Sequence, residues 1–573
     1  MRMRILLCST AVLALAGCSR TTTTSTPIPH LQKQATATQL IVDGKPFLML
    51  AGELRNSSSS TNAFLQPIWP AMVAMHLNTV LSAVHWELIE PQEGKYDFSL
   101  VDSQIRDAQT YKLRLIFLWF GSWKNGVSSY VPAWVKTNEQ RFLRVQDKDG
   151  KGIETLSTLS AANRDADVKA FRALMRHIKE VDASRRVIMI QVENEVGVLG
   201  DSRDRCEAAN QAFAAPVPQQ LLDYLSANKE RLHPQLRKAW EAAGSKTSGN
   251  WEQVFGKAPY TDELFMAWNY ASYMNQVASA GKAEYPIPMY VNTWCSMPAP
   301  ERGPGTYPSG GPEPQVQNIW KLAAPAIDIR SPDLYSPNLP VWVEWYRESY
   351  KPADPLFIPE TDSNTGVYHS FYVFGQHDGM GFTPFAIDEY ALPRPGAQAK
   401  VPAELPLARS YGILAELSPV ILENQGKGKM AGVVVGADEP AQKIPLGNYT
   451  LEVSYPRSRR QPAAAAAPPP AQAVVSLEPT EIKDRSGALF IALGPDEYLV
   501  AGSGPVDVRF APNTPGDPIA GILSIEEGTY KDGAWAAGRR LNGDENGGGK
   551  NLRLGGDSSR NGLVQRIKLY RYR

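Results

Sequence analysis

The chain has 573 residues, of which 43% are hydrophobic and 21% charged, with 59 Lys and Arg against 59 Asp and Glu. This composition is typical of a folded globular protein and excludes a disordered chain, a collagen-like repeat and a disulfide scaffold. The zero formal charge argues against a nucleic-acid partner, because binding to phosphates needs clustered cations. Seven histidines without an HExxH motif and four cysteines without a CxxC motif argue against a dedicated metal site, so we expect no metal and no cofactor.

The N-terminus has the pattern of a secretory signal. Arg2 and Arg4 precede an apolar run over residues 5–16. This run is too short to span a bilayer as a helix, and its basic flank is typical of a cleaved signal. We therefore predict that residues 1–17 are a signal peptide.

The signal ends in the sequence LAGC at 15–18, which resembles the lipobox of bacterial lipoproteins. In that pattern the cysteine is lipidated and becomes the new N-terminus, so Cys18 is the predicted lipidation site. A plain signal peptide with an incidental cysteine is the alternative. Ser19, which is not Asp, predicts export to the outer membrane of a Gram-negative cell envelope. Residues 18–38 are rich in Thr and Pro and predict an extended tether between lipid and domain.

Short apolar runs then alternate with amphipathic stretches as far as residue 426. Eight runs predict strands, at Pro46–Leu54, Asn78–Val84, Leu113–Phe120, Arg186–Val192, Ile287–Trp294, Ala326–Tyr335, Leu356–Pro359 and Gly379–Phe385. Strands alternating with helices predict an α/β fold, a (β/α)8 TIM barrel over 39–426 with a helical insertion at about 201–282. A doubly wound sheet is the alternative, although no GxGxxG motif follows a strand.

Residues 427–573 change to short alternating apolar segments interrupted by Gly, Pro and Asn. This pattern predicts an all-β accessory domain, sandwich-like in architecture. Cys206 and Cys295 are the thiols left after signal cleavage, and a bridge between them is left open.

Two of the predicted barrel strands end in acidic residues. The fourth strand runs VIMIQVENEVG at 187–197 and ends in Asn194 and Glu195, and the seventh runs LFIPETD at 356–362 and contains Glu360. The C-terminal ends of barrel strands meet at one mouth, where catalytic residues lie. Two carboxylates facing each other there are what glycoside hydrolysis requires, so we predict an oligosaccharide substrate. Rivals for the second carboxylate are Glu344, Asp388 and Glu389.

Aromatic and amide side chains near the strand ends are candidate sugar contacts. The apolar faces of sugars stack on aromatic rings, whereas their hydroxyls need polar partners. The predicted substrate-binding residues are Asn194, Tyr335, Trp86, His85, Trp123, Asn292 and Trp294, with Trp119 and Phe382 as further aromatics at strand ends.

Several segments together resemble glycoside hydrolase family 35, chiefly β-galactosidases. They are LIVDGKPFLMLAGEL at 40–54, NTVLSAVHWELIEPQEGKYDF at 78–98, VPAWV at 131–135 and IQVENEVG at 190–197. The resemblance implies a retaining mechanism with Glu195 as acid/base and Glu360 as nucleophile. In the related clan a tyrosine near position 335 hydrogen-bonds the nucleophile. The all-β tail resembles the accessory domain of a bacterial lipoprotein branch of this family.

The resemblance implies an exo-acting β-galactosidase that removes terminal galactose from plant cell-wall oligosaccharides, such as xyloglucan fragments. The chain departs from the family pattern at Ala83, where the family has Tyr, and at Ile89, where it has His. The usual acidic sugar contact is missing from LWFGSWKNG at 118–126. The sugar contacts must therefore be partly rebuilt.

Two alternatives stay open: another retaining β-glycosidase of the clan, and a sugar-binding lipoprotein without catalytic activity. Two carboxylates that repel when both are ionised give a binding module little advantage. A serine hydrolase is disfavoured because the chain has no GxSxG elbow. The sequence sets neither the oligomeric state nor the glycosidic linkage.

The predicted anchor is testable by substitution. Cys18→Ala should prevent lipidation and release the protein from membranes, because the acyl chains supply the binding energy. The measurement is fractionation of outer membranes after a salt wash. A substituted protein that still sediments with the membranes would show that lipid on Cys18 is not what holds it.

Overall fold

The computed structural model describes residues 26–296, 302–349, 354–392, 401–456, 484–516, 518–531, 533–546, 548–555 and 563–573. The predicted signal peptide, Cys18 and the first part of the predicted tether lie outside these residues. Within them, no helix is both long enough and apolar enough to cross a membrane.

Eight parallel strands form one curved sheet. They span Met49–Glu53 (β1), Thr79–His85 (β2), Arg114–Lys124 (β3), Val187–Asn194 (β4), Met289–Trp294 (β5), Ile329–Asp333 (β6), Phe357–Thr361 (β7) and Gly381–Pro384 (β8). Their order is β6-β5-β4-β3-β2-β1-β8-β7. The Leu334 N–H donates to the Glu360 carbonyl at 3.0 Å and so joins β6 to β7, which closes the ring. The predicted TIM barrel is confirmed, and the doubly wound sheet is excluded.

A helix follows each strand and covers the outside of the barrel. These helices span Trp69–Ala74 (α1), Ser99–Thr110 (α2), Ala161–Val181 (α3), Pro259–Glu284 (α4), Gln317–Ala323 (α5), Leu339–Ser349 (α6), Gly366–His377 (α7) and Pro406–Asn424 (α8). Short helices lie in the loops, at Ser58–Ser60, Asn62–Leu65, Gln66–Ile68, Trp86–Ile89, Ala133–Lys136, Glu207–Ala214, Gln219–Ala227, Lys229–Arg231, Pro234–Ala242, Trp251–Phe255, Pro314–Val316, Ile387–Tyr390 and Pro402–Glu404. The loop after β3 adds a hairpin of Arg144–Gln146 and Gly152–Leu156.

The strands are apolar on both faces because both are buried. Side chains such as Leu81, Ile116 and Tyr290 fill the barrel interior, while Val80 and Leu115 point outward to the helices. The interior is thus a packed core, and only the residues at the strand ends are free to form a site.

The predicted insertion at 201–282 is corrected at its C-terminal end. Residues 259–282 belong to α4, which packs along α3 so closely that a Cβ on Gly281 would lie 2.3 Å from a ring carbon of Phe171. This helix is a barrel helix, and the insertion ends at Ala258. The insertion covers its outer side, so α4 is buried on most of its circumference, and helical periodicity alone could not distinguish it from the inserted helices.

The predicted tether, residues 18–38, is wrong over its last part. His30–Gln34 pairs antiparallel with Ala37–Val42, which in turn pairs with Lys45–Phe47. This three-stranded sheet closes the bottom of the barrel, where Leu40 and Val42 join the interior core. Backbone pairing, which composition does not reveal, is what orders this polar segment.

The C-terminal region is all β and confirms the predicted class. One sheet contains Met430–Gly436, Arg485–Gly494, Glu497–Gly502, Val564–Tyr572, Ile519–Lys531 and Ala534–Leu541, and the other contains Gln442–Leu446, Tyr449–Ser454, Val506–Pro512 and Leu552–Leu554. Residues of both sheets, including Phe490 and Leu451, share one apolar core, as in a sandwich. Gly543–Asn546 forms a short helix beside them.

The all-β region packs against α7 through close backbone contacts. A Cβ on Gly487 would lie 2.0 Å from the Tyr368 carbonyl oxygen, and one on Gly432 would lie 2.6 Å from the Tyr372 carbonyl oxygen. Only glycine allows this approach, so the β region is fixed firmly to the barrel. Cys206 and Cys295 are both buried and free, so the bridge that the sequence left open is not formed.

Candidate active site

Strand β4 ends in a distorted segment that contains the predicted acid. The backbone of Glu193 has φ +62° and that of Glu195 has φ +45°, a conformation that side chains other than glycine rarely adopt. The Glu195 N–H donates to the Asn292 Oδ1 at 2.9 Å, which holds the turn in place. Backbone strain of this kind is concentrated at functional sites.

Glu360, on β7, accepts hydrogen bonds from three side chains. Tyr335 donates its hydroxyl to Oε2 at 2.7 Å. The amides of Asn194 and Asn292 donate to Oε1 at 3.1 and 3.3 Å. All three partners are donors, which suits a carboxylate because an ionised carboxyl only accepts.

Glu195 and Glu360 face each other across the mouth. One carboxyl oxygen each of Glu195, Asp333 and Glu360 lies within 4.8 Å of the other two, and all three side chains are buried. A cluster of three carboxyl groups is a donor set of the kind that binds a cation. The Glu360 oxygens, however, already accept three hydrogen bonds, and Lys124 places an ammonium beside the group.

The electrostatics differ sharply among these acids. Burial, together with the charge of Glu360, raises the pKa of Glu195 to about 7, while Lys124 opposes the rise. Burial and the neighbouring carboxylates raise the pKa of Asp333 well above its ordinary value. The environment therefore favours the protonated forms of Glu195 and Asp333 beside a Glu360 carboxyl group that is surrounded by donors.

Lys124 is a functional candidate that the sequence prediction missed. Strand β3 bulges after Trp119 and continues to Lys124, which lies in register with Asn194 of β4. The Lys124 Nζ donates to the Asn194 Oδ1 at 2.7 Å and thereby orients the amide that donates to Glu360. Burial lowers the pKa of Lys124, but the charges of Glu360 and Glu195 outweigh this effect and leave it raised. The sequence feature that could have identified Lys124 is its position as the polar residue at the end of the apolar run LIFLWFGSWK.

Glu53 was also missed, although it ends strand β1. Its side chain is fully buried, and neither carboxyl oxygen has a hydrogen-bond partner among the described residues. Burial first, and then the charge of Glu360, raise the pKa of Glu53 well above its ordinary value. Its surroundings therefore favour the neutral form of this acid.

A second acidic pair supports the site from behind. Glu193 accepts the backbone N–H groups of Ser122 and Trp123 at 3.0 and 2.7 Å. Asp167 of α3 accepts the Ser122 hydroxyl at 2.6 Å. These bonds fix the end of β3 immediately before Lys124. Burial, and the proximity of Asp167, raise the pKa of Glu193.

The remaining predicted contacts divide into exposed and buried side chains. Trp294 is 43% exposed at the end of β5, in register with Asp333, and Tyr335 is half exposed, so both are free to contact a sugar. His85 is buried against Phe120, and its Nε2 lies 2.8 Å from the Asn56 carbonyl oxygen. Burial lowers the pKa of His85, so it is neutral at pH 7.

The predicted sugar contacts of Trp86 and Trp123 are wrong, because the structure buries both side chains completely in the core. The Trp86 indole donates to Glu90 at 2.8 Å, and the Trp123 indole donates to the Leu156 carbonyl at 3.1 Å. A helix begins at Trp86, whose side chain joins the apolar cluster between the strands and the outer helices rather than the barrel interior. Trp119 and Phe382 are likewise fully buried.

The other candidates for the second carboxylate make contacts away from the site. Asp388 accepts the Arg55 backbone N–H at 2.9 Å and the Ser58 hydroxyl at 2.7 Å. Glu389 lies 3.7 Å from Arg55. Glu344, on α6, lies 3.3 Å from His377. None of the three is grouped with Glu195.

Comparisons with known proteins match separate parts of the chain. The model of glycoside hydrolase family 42, described as β-galactosidase, matches residues 58–271, and that of a domain of unknown function matches residues 407–553. A β-galactosidase from Xanthomonas manihotis is 31% identical over 173 residues, which is 29% of this chain and 26% of that protein. This chain therefore spans about a quarter of the length of that relative.

Solved structures resemble the chain more broadly. A β-galactosidase from Bacillus circulans sp. alkalophilus has a TM-score of 0.45 and 17% identity, and the match covers 66% of this chain and 57% of that one. A family 42 β-galactosidase from G. stearothermophilus has a TM-score of 0.44 and 17% identity over 68% of this chain and 59% of that one.

The family expected from the motifs is corrected by the family-model match. The family model that fits residues 58–271 is that of family 42, not family 35. The quoted motifs lie on β1, β2 and β4 and in the loops that follow strands, and only the segment 190–197 contains one of the two glutamates. They therefore identify a kind of site rather than one family.

The raised pKa of Glu195 has a consequence for stability. An unfolded glutamate ionises near pH 4.5, whereas folded Glu195 keeps its proton up to about pH 7, so its contribution to stability is lost as the pH rises through that window. Glu195→Gln should therefore raise the melting temperature by several degrees at about pH 8 and change it little at about pH 5.

The measurement is thermal unfolding at both pH values, with the exposed Glu139→Gln as the control. An increase of the same size at the two pH values would contradict the raised pKa.

Proposed function

We propose that the protein is a retaining β-glycosidase, and specifically an exo-acting β-galactosidase. The observation that carries this proposal is the approach of Glu195 and Glu360, since one carboxyl oxygen of each lies within 4.8 Å of one of the other. Retaining enzymes hold their carboxyl groups about 5 to 5.5 Å apart, and inverting ones about 6.5 to 9.5 Å. The match of residues 58–271 to a β-galactosidase family supports the same reaction.

Glu360 attacks the anomeric carbon and forms a covalent glycosyl-enzyme. The hydroxyl of Tyr335 and the amides of Asn194 and Asn292 keep its attacking oxygens oriented. Although the residue is half exposed, its hydroxyl end lies among the buried carboxyl groups, where desolvation and the charge of Glu360 raise the pKa of Tyr335, so the hydroxyl stays a donor throughout.

Glu195 protonates the departing oxygen and then removes a proton from the water that hydrolyses the intermediate. Its pKa of about 7 allows both roles near neutral pH. The charge of Glu360 contributes to that pKa and disappears when the glycosyl bond forms, so the pKa of Glu195 falls when the residue must act as a base.

The proposed substrates are oligosaccharides of plant cell walls with terminal galactose, such as xyloglucan fragments, met at the cell surface by a protein anchored through Cys18. Trp294 offers an exposed indole face on which a sugar ring can stack. A catalytically silent sugar-binding protein is the second candidate.

The nucleophile is tested by Glu360→Gly. This variant should lose turnover of an aryl β-galactoside and regain it when azide fills the vacated space. The rescued product should be the α-galactosyl azide, because azide attacks from the face that Glu360 occupied. The measurement is NMR of the product, with Glu344→Gly as the matched control. Release of the inverted anomer by the wild-type enzyme would refute retention, and sugar binding without hydrolysis on a panel of aryl glycosides would favour the silent protein.

The acid is tested by Glu195→Gln. Hydrolysis of substrates with poor leaving groups should fall by about 10² to 10⁴-fold, because their departure needs a proton. Formation of the glycosyl-enzyme from an activated dinitrophenyl galactoside should be spared, and this is measured as a burst of released phenol. Equal losses on both substrates would assign the acid to another residue.

A further inference from the structure

Arg485 extends from the all-β region to a loop of the active site. It is the first residue of the strand Arg485–Gly494. Its Nη1 donates to the Pro337 carbonyl at 3.1 Å and its Nη2 to the Asn338 Oδ1 at 3.4 Å. The same guanidinium forms an ion pair with Glu439 of the β region.

The loop that Arg485 contacts positions Tyr335. Residues 334–338 join β6 to α6, and Tyr335 lies in this loop with its hydroxyl on Glu360 at 2.7 Å. At the other end of the loop, the Asn338 carbonyl accepts the Val341 N–H at 3.0 Å and starts α6. A shift of Pro337 or Asn338 would therefore move Tyr335 relative to the nucleophile.

The contact of Arg485 with the loop is buried and its charge is compensated. The Arg485 side chain is only 8% exposed, and a buried guanidinium is tolerated only where acceptors and an opposite charge compensate it. Glu439 supplies the charge, and the loop supplies the acceptors. The glycine contact of Gly487 with Tyr368, two residues along the same strand, fixes the distance between strand and barrel.

We propose that Arg485 is a positioning residue for the active site, and that the β region of unknown function thereby contributes to the reaction. Arg485 holds the loop 336–338 so that Tyr335 stays hydrogen-bonded to Glu360. The expected change in rate rests on the proposed glycosidase activity. The expected change in the position of Tyr335 rests on the contacts alone. It assigns a role to residues 407–553, which match a domain of unknown function.

The test compares Arg485→Met with Arg571→Met in the full-length protein. Arg571 forms an ion pair with Asp496 within the β region at 2.8 Å and serves as the matched control. Arg485→Met should lower kcat on an aryl galactoside by about tenfold with little change in KM, because misplacing a catalytic contact slows the chemical step more than binding. Arg571→Met should change kcat by less than about twofold.

A double-mutant cycle separates positioning from general destabilisation. If Arg485 acts through Tyr335, then adding Arg485→Met to Tyr335→Phe should cost little beyond the loss from Tyr335→Phe alone. Arg485→Lys should recover only part of the rate, since an ammonium cannot bond both acceptors in the same fork. Losses that multiply in the double variant, or an Arg485→Met rate equal to that of Arg571→Met, would overturn the proposal. If Arg485→Met does not fold, Glu439→Gln in the same cycle provides the milder change.

A spectroscopic readout keeps this test independent of activity. The protein is labelled with 3-fluorotyrosine, and the ¹⁹F signal of Tyr335 is identified by its loss in Tyr335→Phe. Arg485→Met should shift or broaden that signal, and Arg571→Met should leave it unchanged. An unchanged signal in Arg485→Met overturns the positioning role. If the wild-type protein hydrolyses no aryl glycoside while Arg485→Met still shifts the Tyr335 signal, the proposed function alone is refuted.

Discussion

The site depends on the burial of several carboxyl groups around one ammonium. Glu53, Glu195, Asp333 and Glu360 all lie buried at the mouth end of the barrel, with the Lys124 Nζ among them. So many negative charges cannot coexist in a poorly hydrated space, so most of these acids must keep their protons. Donors converge on Glu360, and burial raises the pKa of the other three. One carboxylate opposite a protonated acid is the asymmetry that acid-assisted nucleophilic chemistry requires.

The surrounding structure maintains this asymmetry at a cost to stability. The backbone is left-handed at Glu193, near the end of β4, and at Glu195, just after it, a strained conformation that persists only where neighbouring bonds enforce it. Glu193 belongs to this strained backbone, and its carboxyl group also accepts two N–H groups from the bulge of β3. That bulge brings Lys124 opposite Asn194. The strained strand end and the charge balance of the site are therefore parts of one arrangement.

The β region also contacts the loop that carries Tyr335, although it lies outside the barrel. It packs against α7 through glycine contacts that leave no room for adjustment, and its Arg485 bonds the loop beside Tyr335. A contact from a second domain restricts the motion of this loop, although the loop itself is not part of a barrel strand. This restriction matters because Tyr335 is half exposed and lies on a loop rather than on a strand.

Much of the site could be predicted from the sequence because it depends on strand ends. Apolar runs mark the strands, and a polar residue that ends such a run must lie at the mouth, so Glu195, Glu360, Asn194, Asn292 and Tyr335 were found. The same rule pointed to Glu53 and Lys124, but Glu53 was not singled out. Lys124 was missed because the predicted third strand stopped at Phe120, four residues before the bulge ends.

What the sequence alone determined is periodic and local: the alternation of strands and helices, the change to an all-β region near residue 427, and which carboxyl groups meet. What only the tertiary structure decided depends on direction and distance. Trp86 and Trp123 follow the same pattern as Trp294, yet they turn into the core because a helix start and a bulge rotate them away from the mouth. The proton on Glu195 and the contact from Arg485 arise between residues far apart in the chain, since burial and Coulomb interactions depend on separation in space, which periodicity does not encode.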